Sequence, residues 1–512
     1  MMISEKKKGG NMEKSGDAYK ISGRTEKKEW LLTGLYLLVF FIVASSIALM
    51  QPLEDTPPVY ANAPDEHARY LVPKYICEHG TIPSGYDEEV RIPGYGSSYA
   101  LYNILPYIFM GYVMRLVRLF TENDLYLLYS ARFVNVFFGL LMALTVRRLA
   151  CRIFDEEAKK YYLDWLFCFL IMYLPQNLFL HTYVNTDSMA MLSTALTLYA
   201  LVAIYQDGFC LKNSAVLCIG VIFCALSYYN AYSYIVSAVL LCLAYFIRKK
   251  ENGKIWYDWK SMLHYAVPIV LVILFGAGWW FLRNYLLYDG DMLGLRTARK
   301  MQELYAVDKV NPLTSLTYQQ MGYTPWQMME ETNYLTILYS SFIGAYGSLS
   351  IFANIWIYRI YKLLILGGVL GYLLLLPWAW KKETGKRIFF HITLLFCIFM
   401  TLFLGVYYAY TSDFQAQGRY VMPILIPVML YVVKGMERVA HCLLTGETSD
   451  DDGRRSLLAV VIKRDADSVA SIGRKIAAWG VILIMAVIVF MLLWMVYGIA
   501  MPIYCQFQPV II

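Results

Sequence analysis

The sequence predicts an all-α protein that crosses a membrane many times, and three observations predict it. Of its 512 residues 59% are apolar and only 16% charged, against about 45–50% and about 25% in soluble chains. The mean hydropathy is +0.47. The apolar residues collect in runs of spanning length, while Lys and Arg collect in short clusters between them. This composition excludes disorder, collagen-like structure, coiled coil and a disulfide-stapled secreted fold. The formal charge of +7 is a record of topology, since Lys and Arg mark the cytoplasmic side of membrane proteins. It is not a nucleic-acid signal.

Residues 1–29 are polar and basic (Lys6, Lys7, Lys8, Lys14, Lys20, Arg24, Lys27, Lys28) and read as a disordered cytoplasmic tail. Trp30 to Met50 is apolar throughout, long enough to span, and lacks a cleavage signal, so a retained anchor is expected. Residues 98–120 are also apolar but carry Pro106, Arg115 and Arg118. Were they to cross, Arg147, Arg148, Arg152, Lys159 and Lys160 would fall outside, against the positive-inside rule. They are therefore placed on the outer surface as interfacial helices. The remaining spans are expected at 127–146, 162–180, 188–205, 214–229, 233–248, 262–282, 357–378, 388–408, 420–434 and 476–499. About 11 crossings result. They put about two thirds of the 45 Lys and Arg in the inner segments.

The N-terminus is then cytoplasmic and the C-terminus outside. Residues 30–435 form one transmembrane module with large outer loops at about 51–126 and 283–356. Residues 436–475 form a cytoplasmic loop, and 476–512 hold the last span and an outer tail. No internal repeat or low-complexity tract occurs. The ten cysteines form no CxxC or CxxH pair, so a zinc site is not expected. Only Cys77 and Cys505 fall in segments placed on the outer side, where they could bridge.

This layout narrows the chemistry. The inner loops are too short for a nucleotide-binding domain, and neither GxxxxGK[ST] nor GxGxxG occurs. The polar mass lies on the outer face, where group transfer must draw on a donor carried in the lipid. Coupled transporters and flippase-like proteins place ionisable residues or broken helices at mid-membrane. Here the span centres are nearly free of charge, and Asp187, Arg283, Asp289, Asp291, Asp413 and Arg419 gather at outer span ends. A transporter of lipid-linked saccharides and a non-catalytic scaffold of surface-polymer assembly remain the alternatives.

Several short motifs stand out. Pro64-Asp65-Glu66-His67 follows the anchor; proline and two acids make an ordinary helix start, with Asp65–Arg69 as a possible i,i+4 pair. An acid at the mouth of the first span can equally serve as general base. Asn185-Thr186-Asp187 precedes the fourth span, where Asp187 could cap the helix. Arg132 opens the second span, Arg283-Asn284 and Asp289-Gly290-Asp291 follow the seventh, and Gln417-Gly418-Arg419-Tyr420 with Pro423 opens a late one.

In order and placement these motifs, over about residues 30 to 435, resemble the GT-C glycosyltransferases. The likeness is to a bacterial branch of unknown function beside the protein O-mannosyltransferase and aminoarabinose transferase group. The resemblance implies inverting transfer of a sugar from a polyprenyl-phosphate sugar to a cell-surface glycan, lipid or protein on the outer face. It implies a catalytic base at Asp65 or Glu66 and a second acid at Asp187. One carboxylate can activate the acceptor without a covalent intermediate, and a lipid-phosphate leaving group calls for cations, to which Arg is suited. Arg419 is the foremost candidate, with Arg283, Arg69 and Lys74 beside it. Some relatives use a divalent cation and others do not; these residues assign no metal or other cofactor. His67 and His181 are weaker candidates, and Tyr95, Tyr99, Tyr102 or Trp326 could stack on a sugar.

Overall fold

The computed structural model describes residues 26–54, 57, 59–249, 253–374, 385–445 and 466–507. Most of the expected N-terminal tail, the middle of the 436–475 loop and the last five residues lie outside the described residues.

The protein is an all-α polytopic membrane protein. Among the described residues eight helical segments are long and apolar enough to cross a bilayer: Glu26–Met50, Asp124–Ile153, Asp187–Asp207, Trp259–Leu287, Ile355–Leu374, Arg387–Thr411, Gly418–Ala440 and Lys475–Tyr504. They fall on eight of the eleven expected spans. The other three are helical but shorter. The 162–180 segment is split into Leu163–Met172 and Pro175–Leu180, because proline opens the second piece and Leu174 before it is extended. Leu211–Ala225 and Ser233–Tyr245 have 15 and 13 residues, below the roughly 20 needed to span.

These short segments nevertheless run from end to end of the bundle. At one end Arg147 donates to Asp164 at 2.8 Å and to Glu29 at 2.7 Å, tying the starts of Leu163–Met172 and Glu26–Met50 to the end of Asp124–Ile153. At the other end Thr186 accepts from Arg69, so residues 164–186 traverse the bundle despite their break. Similarly Leu211 follows Asp207 at the Arg147 end, while Asn230 donates to the Tyr420 carbonyl at the other.

Asp187–Asp207 is the central helix, buried along most of its length; Trp259–Leu287, largely exposed, is peripheral. Helices Ile355–Leu374 and Leu425–Thr445 meet at Gly368 and Gly435, where an added Cβ would strike the facing backbone. Small residues are what permit membrane helices to approach this closely.

Two 14-residue helices, Glu66–His79 and Leu105–Arg118, fill the first large loop and pack on one another. Leu105–Arg118 buries Pro106, Tyr107, Met110, Gly111 and Met114 and exposes Phe109, Tyr112, Val113 and Leu116. An exposed apolar face beside Arg115 and Arg118 suits a helix lying along a bilayer surface. The suggested Cys77–Cys505 bridge does not form: both thiols are free, Cys77 buried and Cys505 exposed. Only two small antiparallel hairpins, Ile247–Lys249 with Ile255–Tyr257 and Ala345–Tyr346 with Ile351–Phe352, interrupt the helical pattern among the described residues.

Candidate active site

Asp65 opens Glu66–His79 from a left-handed backbone, φ 59° and ψ 9°, a conformation unusual for any residue with a Cβ. It sits at the N-cap, where an Asp ordinarily accepts from the first turn, yet it makes no capping bond. Its carboxylate turns instead to Arg419, whose Nη2 donates to Oδ2 at 2.5 Å while Nη1 donates to the Pro64 carbonyl at 3.4 Å. Arg69, one turn on, lies 3.8 Å from the same oxygen. The expected i,i+4 pair therefore forms, but as the looser of two contacts. The Asp65 side chain is 39% exposed, against 2% for Arg419 and 7% for Arg69. One accessible carboxylate thus rests on two buried cations. Burial pushes the Asp65 carboxyl up, but the charges of Arg419 and Arg69 outweigh it and hold it below the ordinary carboxylate range.

The arginines are themselves held by aromatic residues. Arg419 donates to the Tyr420 hydroxyl at 3.1 Å and lies over its ring. Arg69 donates to Tyr107 at 3.2 Å and to Thr186 at 3.4 Å, and its guanidinium stacks 4.5 Å from the centre of Tyr99. Arg419 is positioned by a 3-10 turn, Gly418–Ile424. Gly418 donates to Ser341 Oγ at 2.7 Å, and an added Cβ there would strike the backbone of Ser341 and Phe342.

Asp187 is brought to the same place. It is the first residue of its helix and does not act as the cap; Asn185 Oδ1 accepts from Ser188 N at 3.0 Å instead. Asn135, not singled out from sequence, holds this turn by donating to the carbonyls of Tyr183 at 2.6 Å and Asn185 at 3.2 Å. Asp187 is buried, within the fields of Arg69 and Arg419, and its Oδ2 has no hydrogen-bond partner.

Glu66 faces elsewhere. Its two oxygens accept from Arg132 Nε at 2.8 Å and Nη2 at 2.6 Å, and Oε1 also accepts from Val184 N at 2.8 Å. Arg132 spends its remaining donor on the Ala48 and Gln51 carbonyls. Both side chains are fully buried, so Glu66 is held in a closed pair apart from the Asp65–Arg419 contact.

Two proposed phosphate-binding residues are not brought to this cluster. Arg283 donates to the Pro83 carbonyl at 2.8 Å and lies over Trp280. Lys74 lines a separate crevice with Glu78, Arg118 and Asp124. Asp291 Oδ2 accepts from Thr297 N, in the first turn of the helix Leu295–Tyr305, at 2.7 Å. His67 is exposed, and His181 is buried against Ser188. Among the described residues, one group of three potential metal ligands occurs, the exposed Glu78, His79 and Glu89; it includes neither Asp65 nor Asp187.

Tyr107, Tyr183 and Tyr228 carry no signal in the sequence. Tyrosines are too abundant here, 44 in all, for any one to signal a site.

No known family pattern and no curated protein matches the chain. Among solved structures it is similar to the oligosaccharyltransferase AglB of Archaeoglobus fulgidus in complex with an inhibitory peptide and a dolichol-phosphate. That match has 16% identity over 88% of this chain and 56% of that one, with a TM-score of 0.45. The Archaeoglobus fulgidus oligosaccharyltransferase in complex with Zn and sulfate matches at 16% identity over 86% of this chain and 53% of that one, TM-score 0.46. ArnT of Cupriavidus metallidurans bound to undecaprenyl phosphate matches at 15% identity over 94% and 76%, TM-score 0.35. The chain spans little more than half the length of the two archaeal structures.

Proposed function

We propose that the protein is an integral-membrane glycosyltransferase of GT-C type. It moves a monosaccharide from a polyprenyl-phosphate donor to a cell-surface acceptor on the extracytoplasmic face. The observation that carries this reading is the meeting of Asp65 with Arg419, 354 residues apart in sequence, in the presence of Arg69. An accessible acid beside two buried arginines supplies the two functions the reaction needs.

The acceptor hydroxyl oxygen attacks the anomeric carbon from the face opposite the phosphate. The bond from that carbon to the phosphate oxygen breaks, and polyprenyl phosphate leaves with the electron pair, inverting the configuration. Arg419 and Arg69 meet the leaving phosphate's charge. The proton of the attacking hydroxyl passes to Asp65. Because its carboxyl is held low, Asp65 is ionised at neutral pH but weakly basic. It orients the hydroxyl first and takes the proton late, once bond formation has made that proton acidic. A donor phosphate competes with Asp65 for Arg419, which frees the carboxylate as the donor binds.

Transport is less well supported. The charged side chains buried within Asp124–Ile153, Arg132 and Arg147, lie in its first and last thirds and are paired, rather than lining a path at mid-bilayer. The test is to incubate purified protein with a panel of polyprenyl-phosphate sugars and follow release of polyprenyl phosphate. Release from at least one donor, abolished by Asp65→Asn in a protein that still folds, is expected. Release from none, or undiminished release by the variant, overturns the reading.

A further inference from the structure

Among the described residues, four buried polar atoms around the two arginines have no hydrogen-bond partner: Arg69 Nε, Arg419 Nε, Asp187 Oδ2 and the Tyr228 hydroxyl; the Tyr183 hydroxyl lies beside them within reach of Arg419. They are joined through their neighbours. Arg69 bonds Thr186, next to Asp187. Tyr228 stacks on Tyr420, which accepts from Arg419. Tyr183 precedes Val184, whose N–H meets Glu66 beside Asp65. Buried polar groups are normally bonded, and an unpaired carboxylate oxygen is among the costliest exceptions.

The atoms differ in what they require. The two Nε–H groups need an acceptor, Asp187 Oδ2 needs a donor, and the Tyr228 phenol takes either. A phosphate alone would satisfy the arginines and repel Asp187. A neutral saccharide alone would leave the two arginine Nε–H groups without the anionic acceptor that guanidinium binds best. One molecule carrying a phosphate and a hydrogen-bond-donating group on a rigid ring satisfies the whole set.

We infer that Asp187 is the specificity-determining residue of the donor site, accepting a hydrogen bond from a hydroxyl or amino group of the sugar while the donor phosphate lies on Arg69 and Arg419. The inference rests on the glycosyl-transfer reading above. Asp65, exposed, marks the mouth of the site; Asp187, at the head of the most buried of the eight span-length segments, forms its inner wall. That helix fixes the carboxylate, so it reads one position of the ring rather than following the sugar. A donor lacking the matching group would leave Asp187 unpaired, which is how a built polar site rejects a near-identical substrate.

The experiment uses the full chain and the donor found by the release assay, with the set of its monodeoxy analogues and the corresponding amino analogues. The wild type is expected to discriminate against one deoxy analogue by at least about 100-fold in kcat/KM, and against the others far less. Asp187→Asn is expected to lose most of that discrimination while leaving the ranking of the other analogues intact. Preference for the amino or for the hydroxyl donor at that position identifies the group read, and either supports the inference. A uniform loss over all donors, unchanged discrimination, or a divalent-ion requirement that disappears in the variant overturns it. If Asp187→Asn does not fold, Asp187→Glu is expected to weaken discrimination at that position or move it to another; uniform loss again overturns it. A wild type that turns over donors without discriminating defeats this inference alone, whereas one that releases nothing from any donor defeats the proposed function as well.

Discussion

Arg132 grips Glu66 through two parallel hydrogen bonds of 2.8 and 2.6 Å in a fully buried pair, while the adjacent Asp65 points to Arg419 with 39% of its side chain exposed. Neighbouring acids thus do opposite work. Removing one partner of a buried pair typically costs about 3–5 kcal/mol. Glu66→Gln should therefore lower thermal stability sharply, and Arg132→Lys should as well, since Lys cannot reproduce the two-point contact while bonding the Ala48 and Gln51 carbonyls. Asp65→Asn should cost at most about 1 kcal/mol, because the amide oxygen still accepts from Arg419, yet it should abolish release. Melting temperatures of the three variants in one detergent check the ordering.

Arg419 should act on both binding and pH response. Arg419→Gln removes a phosphate partner, so KM for the donor should rise. It also removes the larger of the two charges acting to hold the Asp65 carboxyl down. The sign follows: in the wild type the Asp65–arginine attraction is complete above the unfolded carboxyl pKa of about 3.9 and fades as pH falls through the lower native value. Without Arg419 that value rises, so the acidic limb of the pH–rate profile should move to higher pH. Profiles of kcat/KM for both proteins measure the shift, and an unmoved limb would separate Arg419 from the base.

Gly418→Ala should reach the site without touching its charges. A Cβ there meets the backbone of Ser341 and Phe342, which has no rotamer to yield. Displacement of the turn should cost about 1–3 kcal/mol and carry Arg419 away from Asp65. A fall in both melting temperature and release rate is expected; Gly94→Ala, where the turn is exposed and open, should leave the release rate alone.

The bundle was legible because hydropathy and charge report it directly, and eight expected spans recur at full spanning length. The breaks were less so: Pro175 cuts a run that hydropathy reads as continuous. Asp65, Asp187, Arg69 and Arg419 each carried a local signal, but their meeting depends on tertiary contacts across 354 residues that no local pattern encodes. Asp65 and Glu66 could not be told apart, since successive residues at a helix start face different neighbours, and Arg132 decides which one is locked. Arg283 is grouped with Arg419 by expected depth, and Lys74 by its nearness in sequence to the first-loop motif. Depth fixes one coordinate and leaves position around the bundle open, and both side chains are engaged elsewhere.

The orientation of the bundle is open to a direct prediction. Gly94 lies at the Asp65 end, in an exposed turn bonded to Val307 across the two large loops. Gly253 lies at the opposite end, beside the Ile247–Lys249 and Ile255–Tyr257 hairpin. Arg248, Lys249, Lys250, Lys254 and Lys260 crowd that hairpin in the sequence, and its end is also the end at which Arg147 ties three helices. Basic residues are retained on the cytoplasmic side, and only an extracytoplasmic Asp65 could meet a surface acceptor. An alkaline phosphatase reporter inserted at Gly94 should therefore be active and one at Gly253 silent, with a fluorescent reporter giving the reverse. Activity at Gly253 with silence at Gly94 would place the carboxylate in the cytoplasm and remove the surface acceptor from the reaction.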